Sequence, residues 1–394
     1  MARGWRLFLR LPLSWPLKVW TQNLNRADAV NCSMPQKKVE QKHMLANLCA
    51  YGLSHAVVEI ACAVPLVSLI VLKKVSMEYF TFLLVIYNIV QFGAQPFTGL
   101  LVDKWRAPKA AAIAGLALLA VAVPLEFGLP LPAVIIAGLG NALFHVAGGT
   151  ICINLTPKKA SGPGLFVAPG ALGILVGALI AKGGAYPVWP LLAALAFSIV
   201  IIALARQPEI DYRQDQGVDP HYLELAILLV FLAVAARSLV GSVVAFPWKT
   251  DLTLLVMLTL GIFLGKALGG PLADRFGWTK VAVGGLVLCS PMLAFGASVP
   301  FLGIIGIFLF NLNMPVTLAA ISNLLPGRPG FAFGLTTFAL LVGLVPTYTP
   351  LKGLFSSSWM IFVLILAAIA ALFYGLRKYA HACRTGDRFA KGGY

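Results

Sequence analysis

Charge is scarce in this sequence. Of 394 residues only 11% are charged, and just 14 are Asp or Glu. A soluble domain needs a polar shell, which a chain that is 59% hydrophobic with a mean hydropathy of +0.88 cannot supply. Lipid must be the solvent. A membrane span takes roughly 20 apolar residues in helical form, because hydrocarbon offers no partners to unsatisfied backbone groups. A dozen such spans with short loops use nearly the whole chain and leave no segment to bury a soluble core. Paired cysteines are lacking too. Cys32, Cys49, Cys62, Cys152, Cys289 and Cys383 show no CxxC or metal-ligand spacing, and four of them fall inside expected spans. There a thiol is a small apolar filler, so neither a disulfide framework, a metal site nor a cofactor is expected. A cleavable leader fits poorly as well. Residues 1–33 set Arg3, Arg6, Arg10 and Lys18 into an apolar stretch broken by Pro12 and Pro16, with no small-residue cleavage site. Two readings stay open: an interfacial helix, or a true start at Met34.

Hydropathy places twelve spans, at 44–72, 78–102, 110–127, 133–155, 164–185, 187–205, 222–246, 251–272, 281–298, 300–324, 331–356 and 358–376. Basic residues then orient the chain. With the N-terminus in the cytoplasm, 23 of the 30 Lys and Arg fall on the cytoplasmic side. Only Lys73, Lys74, Lys182, Lys249 and Lys352 fall on the other, and Arg237 and Lys266 lie within spans. This positive-inside asymmetry predicts an inner-membrane protein with both termini cytoplasmic. It also accounts for the formal charge of +16 without a nucleic-acid partner.

The chain repeats itself. Gly99-Leu-Leu-Val-Asp103-Lys104-Trp105 matches Gly270-Pro-Leu-Ala-Asp274-Arg275-Phe276 at an offset of 171, and Lys109 and Lys280 keep it. Asn141 and Asn311 stand 170 apart. A further echo joins Pro163-Gly164 and Leu175-Val176-Gly177 to Pro329-Gly330 and Leu341-Val342-Gly343 at 166. The implied layout is a basic N-terminal segment (1–43), a six-helix half (44–205), a polar linker (206–221), a second six-helix half (222–376) and a basic tail (377–394). In the repeated loop, glycine lets a neighbouring helix approach closely. The carboxylate and basic residues sit at the surface, where they can pair or cap helix ends. A charged latch made of Gly99, Asp103, Lys104, Gly270, Asp274 and Arg275 is therefore expected. A single copy could be a mere membrane stop signal; two copies at equivalent places argue against that.

Gly-x-x-x-Asp-Lys/Arg after spans two and eight resembles the signature loop of the major facilitator superfamily, and the similarity runs over residues 44–376. A narrower likeness is to its fosmidomycin-resistance branch. It rests on Ser54-His55-Ala-Val-Val-Glu59, Gln95-Pro96, Gly138-Leu-Gly-Asn141-Ala-Leu-Phe144-His145, Arg237-Ser238 and Gly269-Gly-Pro-Leu-Ala-Asp-Arg-Phe-Gly277. The resemblance implies an all-α, twelve-helix membrane fold of two pseudo-symmetric halves. A central cavity lined chiefly by spans 1, 4, 7 and 10 and a rocking, alternating-access cycle come with it. The chain departs from the pattern in places. Arg106 stands where the second copy has Gly277, so that turn would depend on Pro108. Span four lacks the arginine, and span five the Gly-Pro-x-x-Gly-Gly run, of many drug–proton antiporters.

Ionisable residues inside a span are costly and default to functional candidates. Counting about 1.5 Å per residue puts His55 and His145 about 15–16 Å from the cytoplasmic end and Glu59 and Arg237 about 22 Å from it. His55 and Glu59 share a helix face, as do Asn141 and His145. Plainer roles stand beside these. Each histidine could simply bond a backbone carbonyl, and Glu59 with Arg237 could form a static pair. Lys266 is shallow enough to snorkel, and Glu126, Glu224 and Asp251 sit at span ends. Asn88, Gln91, Gln95, Asn311 and Asn313 could bond substrate or neighbouring helices. The expected cavity set is Glu59, His55, His145, Arg237, Asn141, Gln91 and Asn311. The function read from this is a monomeric, proton-coupled secondary transporter of a small polar or anionic molecule, with export favoured by the branch resemblance. An uptake symporter or uncoupled facilitator is the nearest rival. A membrane acyltransferase using His145 as base is a remote one, since no second catalytic partner occurs in a loop.

Overall fold

The computed structural model describes residues 41–126, 128–213 and 220–392. The segment 1–40, with Cys32 and Met34, lies outside them, as do the middle of the linker and the side chain of Cys383. Twelve helices carry the fold among the described residues: α1 (Gln41–Val71), α2 (Met77–Trp105), α3 (Pro108–Leu125), α4 (Pro130–Leu155), α5 (Ser161–Lys182), α6 (Trp189–Leu204), α7 (Pro220–Val243), α8 (Leu252–Phe276), α9 (Trp278–Phe295), α10 (Pro300–Leu324), α11 (Pro329–Leu344) and α12 (Ser358–Gly392). Eleven of these are long and apolar enough to cross a membrane, α11 when taken with the turn that continues it to Tyr348, and α6 is a shorter apolar helix. The chain is a multi-pass membrane protein.

Helix starts follow local chemistry. Proline opens α3, α4, α10 and α11, where its missing N–H costs nothing. Ser76 and Asp251 cap α2 and α8 by accepting from the N–H of Tyr79 (3.2 Å) and Leu254 (2.9 Å). The breaks were harder to foresee. α2 is interrupted at Ala94, just ahead of Pro96, and α10 at Leu312–Asn313, ahead of Pro315. Span eleven, expected to run to 356, ends at Leu344. Pro346 and Pro350 turn the rest into a 3-10 turn (Val345–Tyr348) and a single helical turn (Lys352–Phe355). The basic tail, expected to follow 376, continues α12 as helix to Gly392.

Two large apolar clusters form the interior. One is built almost wholly from α1–α6, with Leu318 and Phe333 added; the other comes from α7–α12, with Ala160 added. Packing also fixes how the repeats correspond. Gly164 lies against the Lys266 carbonyl, and Gly334 against the Gln95 carbonyl. Gly173 lies against the Ala56 carbonyl and Glu59, and Gly343 against the Ala235 carbonyl and Ser238. Gly164 is thus the counterpart of Gly334, and Gly173 that of Gly343, at an offset of 170. The echo at 166 is off by one helical turn. By the same packing, Glu59 and His55 of α1 correspond to Ser238 and Val234 of α7.

The linker leaves α6 and lies over the loops bearing Arg106 and Gly327. The Arg106 guanidinium stands 5.5 Å from the Tyr212 ring centroid. Burial, with the Asp103 charge second, pushes the Tyr212 hydroxyl up to about 12. Hydrogen bonds from the Arg213 guanidinium (2.8 and 3.0 Å) hold the Asp211 carboxyl below the usual carboxylate range.

Candidate functional site: a charged cavity between two clamped halves

On the face bearing Lys104, Lys109, Arg275 and Lys280, the two halves meet through a matched pair of contacts. Asp103, at the end of α2, accepts from the backbone N–H of Gly330 (2.9 Å) and Phe331 (2.8 Å) at the start of α11. Asp274, at the end of α8, accepts from the N–H of Ala160 (2.8 Å) and Ser161 (2.9 Å) at the start of α5, and from Trp278 Nε1 (3.0 Å). Each carboxylate thereby satisfies otherwise orphaned donors at the positive end of a helix in the other half. Gly99 and Gly270 make this approach feasible: a side chain at either would run into the Gly330 or Ala160 carbonyl. The two loops turn differently, however. Gly277 has φ 104°, which only glycine adopts without strain, whereas Arg106 ends its helix in the left-handed region at φ 53°, before Pro108 opens α3. Lys104 and Arg275 take no part in the caps. Arg275 lies over Phe276, 5.4 Å from the ring centroid.

Away from this closed face lies a cavity of about 190 Å³ lined from both halves. His55 and Glu59 of α1 reach it, as do Asn141 and His145 of α4, Gln91 of α2, Arg237 of α7 and Lys266 of α8. Wall residues come from α5, α10 and α11 as well, so eight helices contribute rather than chiefly spans 1, 4, 7 and 10. Asn311 is not among the lining. It donates to the Ile307 carbonyl (2.8 Å), one turn back in its own helix, and is buried. The neutral pair Gln95 and Thr337 joins the halves beside the cavity, Thr337 Oγ1 donating to Gln95 Oε1 at 2.8 Å.

Three groups converge in the first half. His145 Nε2 lies 2.9 Å from His55 Nε2 and 3.3 Å from Glu59 Oε1, and His55 Nε2 is 3.6 Å from that same oxygen. Each histidine also uses Nδ1: His55 on the Phe166 carbonyl (2.7 Å) and His145 on the Asn141 carbonyl (2.9 Å). A carbonyl only accepts, so both Nδ1 atoms carry a proton. In the neutral tautomers, both Nε2 lone pairs then face each other and a carboxylate oxygen. That arrangement is repulsive unless a positive charge sits between them. Packing holds it in place: the His55 ring lies 5.0 Å from Phe166, and any side chain at Gly170 would strike it. Asn141 Nδ2 faces Glu59 Oε1 at 3.5 Å, Tyr87 OH at 3.2 Å and Cys62 Sγ at 3.6 Å.

The static Glu59–Arg237 pair that the sequence left open does not form. Glu59 is occupied by the two histidines of its own half, while Arg237 Nε, buried in the other half, has no hydrogen-bond partner. The guanidinium instead lies 5.9 Å from the Phe310 ring centroid. Lys266, expected to snorkel, is held at the cavity wall, and neither cation has an ion pair among the described residues. The rule that ionisable groups within spans are functional candidates would have found Lys266. Tyr87 and Cys62 carried no signal, since each reads as an ordinary apolar position.

The architecture is similar to several solved structures. A variant of the E. coli fucose:proton symporter FucP matches with a TM-score of 0.67 at 14% identity, covering 85% of this chain and 99% of that one. FucP in the outward conformation, a major facilitator superfamily transporter, matches at 0.63 and 15%, covering 85% and 99%. A bacterial homologue of the iron transporter ferroportin, in an outward-facing state, matches at 0.53 and 16%, covering 86% and 98%. No protein-family model matches the sequence, and no curated protein does. The chain has the major facilitator fold.

Proposed function

We propose that this protein is a secondary transporter, moving a small polar or anionic solute across the membrane by alternating access and coupling it to protons. The observation that carries the reading is the cavity between the halves. One wall holds an acid–imidazole cluster that needs a positive charge, and the other holds two cations with no direct ion pair among the described residues. A proton is the smallest charge that satisfies the cluster, shared between His55 and His145 beside Glu59. Arg237 and Lys266 favour a solute bearing negative charge or strong acceptors. Rocking of the halves would expose this cavity to either side, and the Asp103 and Asp274 caps would hold one face shut in between. The proteins that share this fold, among them a fucose:proton symporter and a homologue of an iron transporter, agree with transport as the class. Export rests on the narrower sequence likeness to the fosmidomycin-resistance branch. An acyltransferase reading is not favoured, because His145 is tied into the cluster at both ring nitrogens.

Proteoliposomes with an entrapped pH dye, challenged with a panel of small anionic and polar metabolites, test the proposal. A substrate should drive proton flux. Glu59→Gln should abolish that flux and gradient-driven accumulation while retaining exchange between equal compartments, which needs no net proton movement. Gradient-driven accumulation by the Glu59→Gln protein would rule out Glu59 as the coupling acid.

A further inference from the structure

The His55, Glu59 and His145 side chains place three ligand-type atoms within 4.8 Å of one another at the cavity wall. We propose that this cluster binds a divalent transition-metal ion, taking the place of the shared proton. Two imidazole nitrogens and a carboxylate oxygen form a donor set suited to zinc, cobalt, nickel or iron(II). Both histidines have their Nδ1 atoms committed to backbone carbonyls, as metal-bound imidazoles commonly do, and this turns both Nε2 lone pairs inward. Distances decide what must move. Ligand atoms at about 2.0–2.1 Å from a tetrahedral ion stand about 3.3–3.4 Å apart. The His145–Glu59 separation of 3.3 Å already fits, and the His55–Glu59 separation of 3.6 Å is close. Only the 2.9 Å gap between the two Nε2 atoms must widen, by about 0.4 Å, to reach that spacing. His145 is the ring able to shift, since His55 is wedged against Phe166 and Gly170. Asn141, bonded to Tyr87 and facing Glu59, steadies the carboxylate from behind.

The fourth coordination position opens on the cavity, where Arg237 and Lys266 stand in the other half. Two cations disfavour a bare dication and favour one that carries an anionic ligand in its open position. The inference concerns equilibrium binding and does not depend on transport, so either can fail without the other.

Cobalt(II) is the probe, titrated into full-length, tag-free protein in detergent and followed by visible absorption. The expected result is one equivalent bound with the intense bands of four-coordinate cobalt. Added azide should perturb these bands, and Arg237→Met should weaken that response. His145→Ala should weaken cobalt binding by at least about tenfold. His145→Cys, which restores a ligand, should bind and add a near-ultraviolet sulfur-to-cobalt charge-transfer band, a signature that no merely structural role would produce. Absence of stoichiometric cobalt binding in the unsubstituted protein overturns the proposal. So do bands that His145→Ala leaves unchanged, or a His145→Cys protein that is folded by size-exclusion but lacks the sulfur band.

Discussion

At the scale of the residue, Arg237 is the most exacting case. A buried guanidinium with an unpartnered Nε is a standing cost to the fold, relieved only in part by Phe310. Arg237→Met should therefore raise stability by about 1–3 kcal/mol in a thermal-unfolding assay while abolishing transport. A less stable, active variant would show the guanidinium to be structural instead. Gly277 gives the opposite expectation. Its φ of 104° is closed to other residues, so Gly277→Ala should cost about 1–3 kcal/mol. An unchanged unfolding temperature would mean that the turn relaxes freely. The cavity residues were legible in the sequence because charge within a span is rare. Their partners were not. Depth along a helix is read by counting, but Glu59 and Arg237 at equal depth can face different walls, and azimuth depends on packing that no count supplies.

Among elements, the decisive contacts are carboxylate to helix end. The sequence marked Asp103 and Asp274 as members of a repeated loop but not what they bind, because the partners are backbone N–H groups of α11 and α5, more than a hundred residues away. The misplaced echo at 166 has a similar origin: helical sequences rich in Gly, Leu and Val match almost as well when slipped by one turn. Loss of an N-cap costs about 0.5–2 kcal/mol. The double variant Asp103→Ala/Asp274→Ala should accordingly shift the conformational balance toward states open on the capped face. Cysteines at Arg328 and Lys158 should then label several-fold faster than with the caps intact, and each single variant should give an intermediate rate. If labelling is unchanged, the caps do not hold that face closed.

For the molecule as a whole, hydropathy and the doubled loop were sufficient to read twelve helices and two halves, because lipid admits so few solutions for a backbone. The exceptions fall where proline acts, at the end of α11 and in the breaks of α2 and α10. Sidedness is a separate question, on which the basic residues bear directly. The capped face, rich in Lys and Arg, is expected in the cytoplasm. An impermeant thiol reagent applied to intact cells should label cysteine at Lys249 or Lys352 but not at Lys280 or Arg328. The reverse pattern would invert the topology.

The caps and the cavity differ in what duplication did to them. Each half carries both a carboxylate at the end of its second helix and an open helix start at its fifth, so two copies of one half could close on each other. In the middle, His55 and Glu59 of one copy face an inheritance of Val234 and Ser238 in the other. The closed face has stayed a palindrome while the cavity has become a heterodimer, and mutation can rewrite the chemistry of the middle without touching the contacts that join the halves.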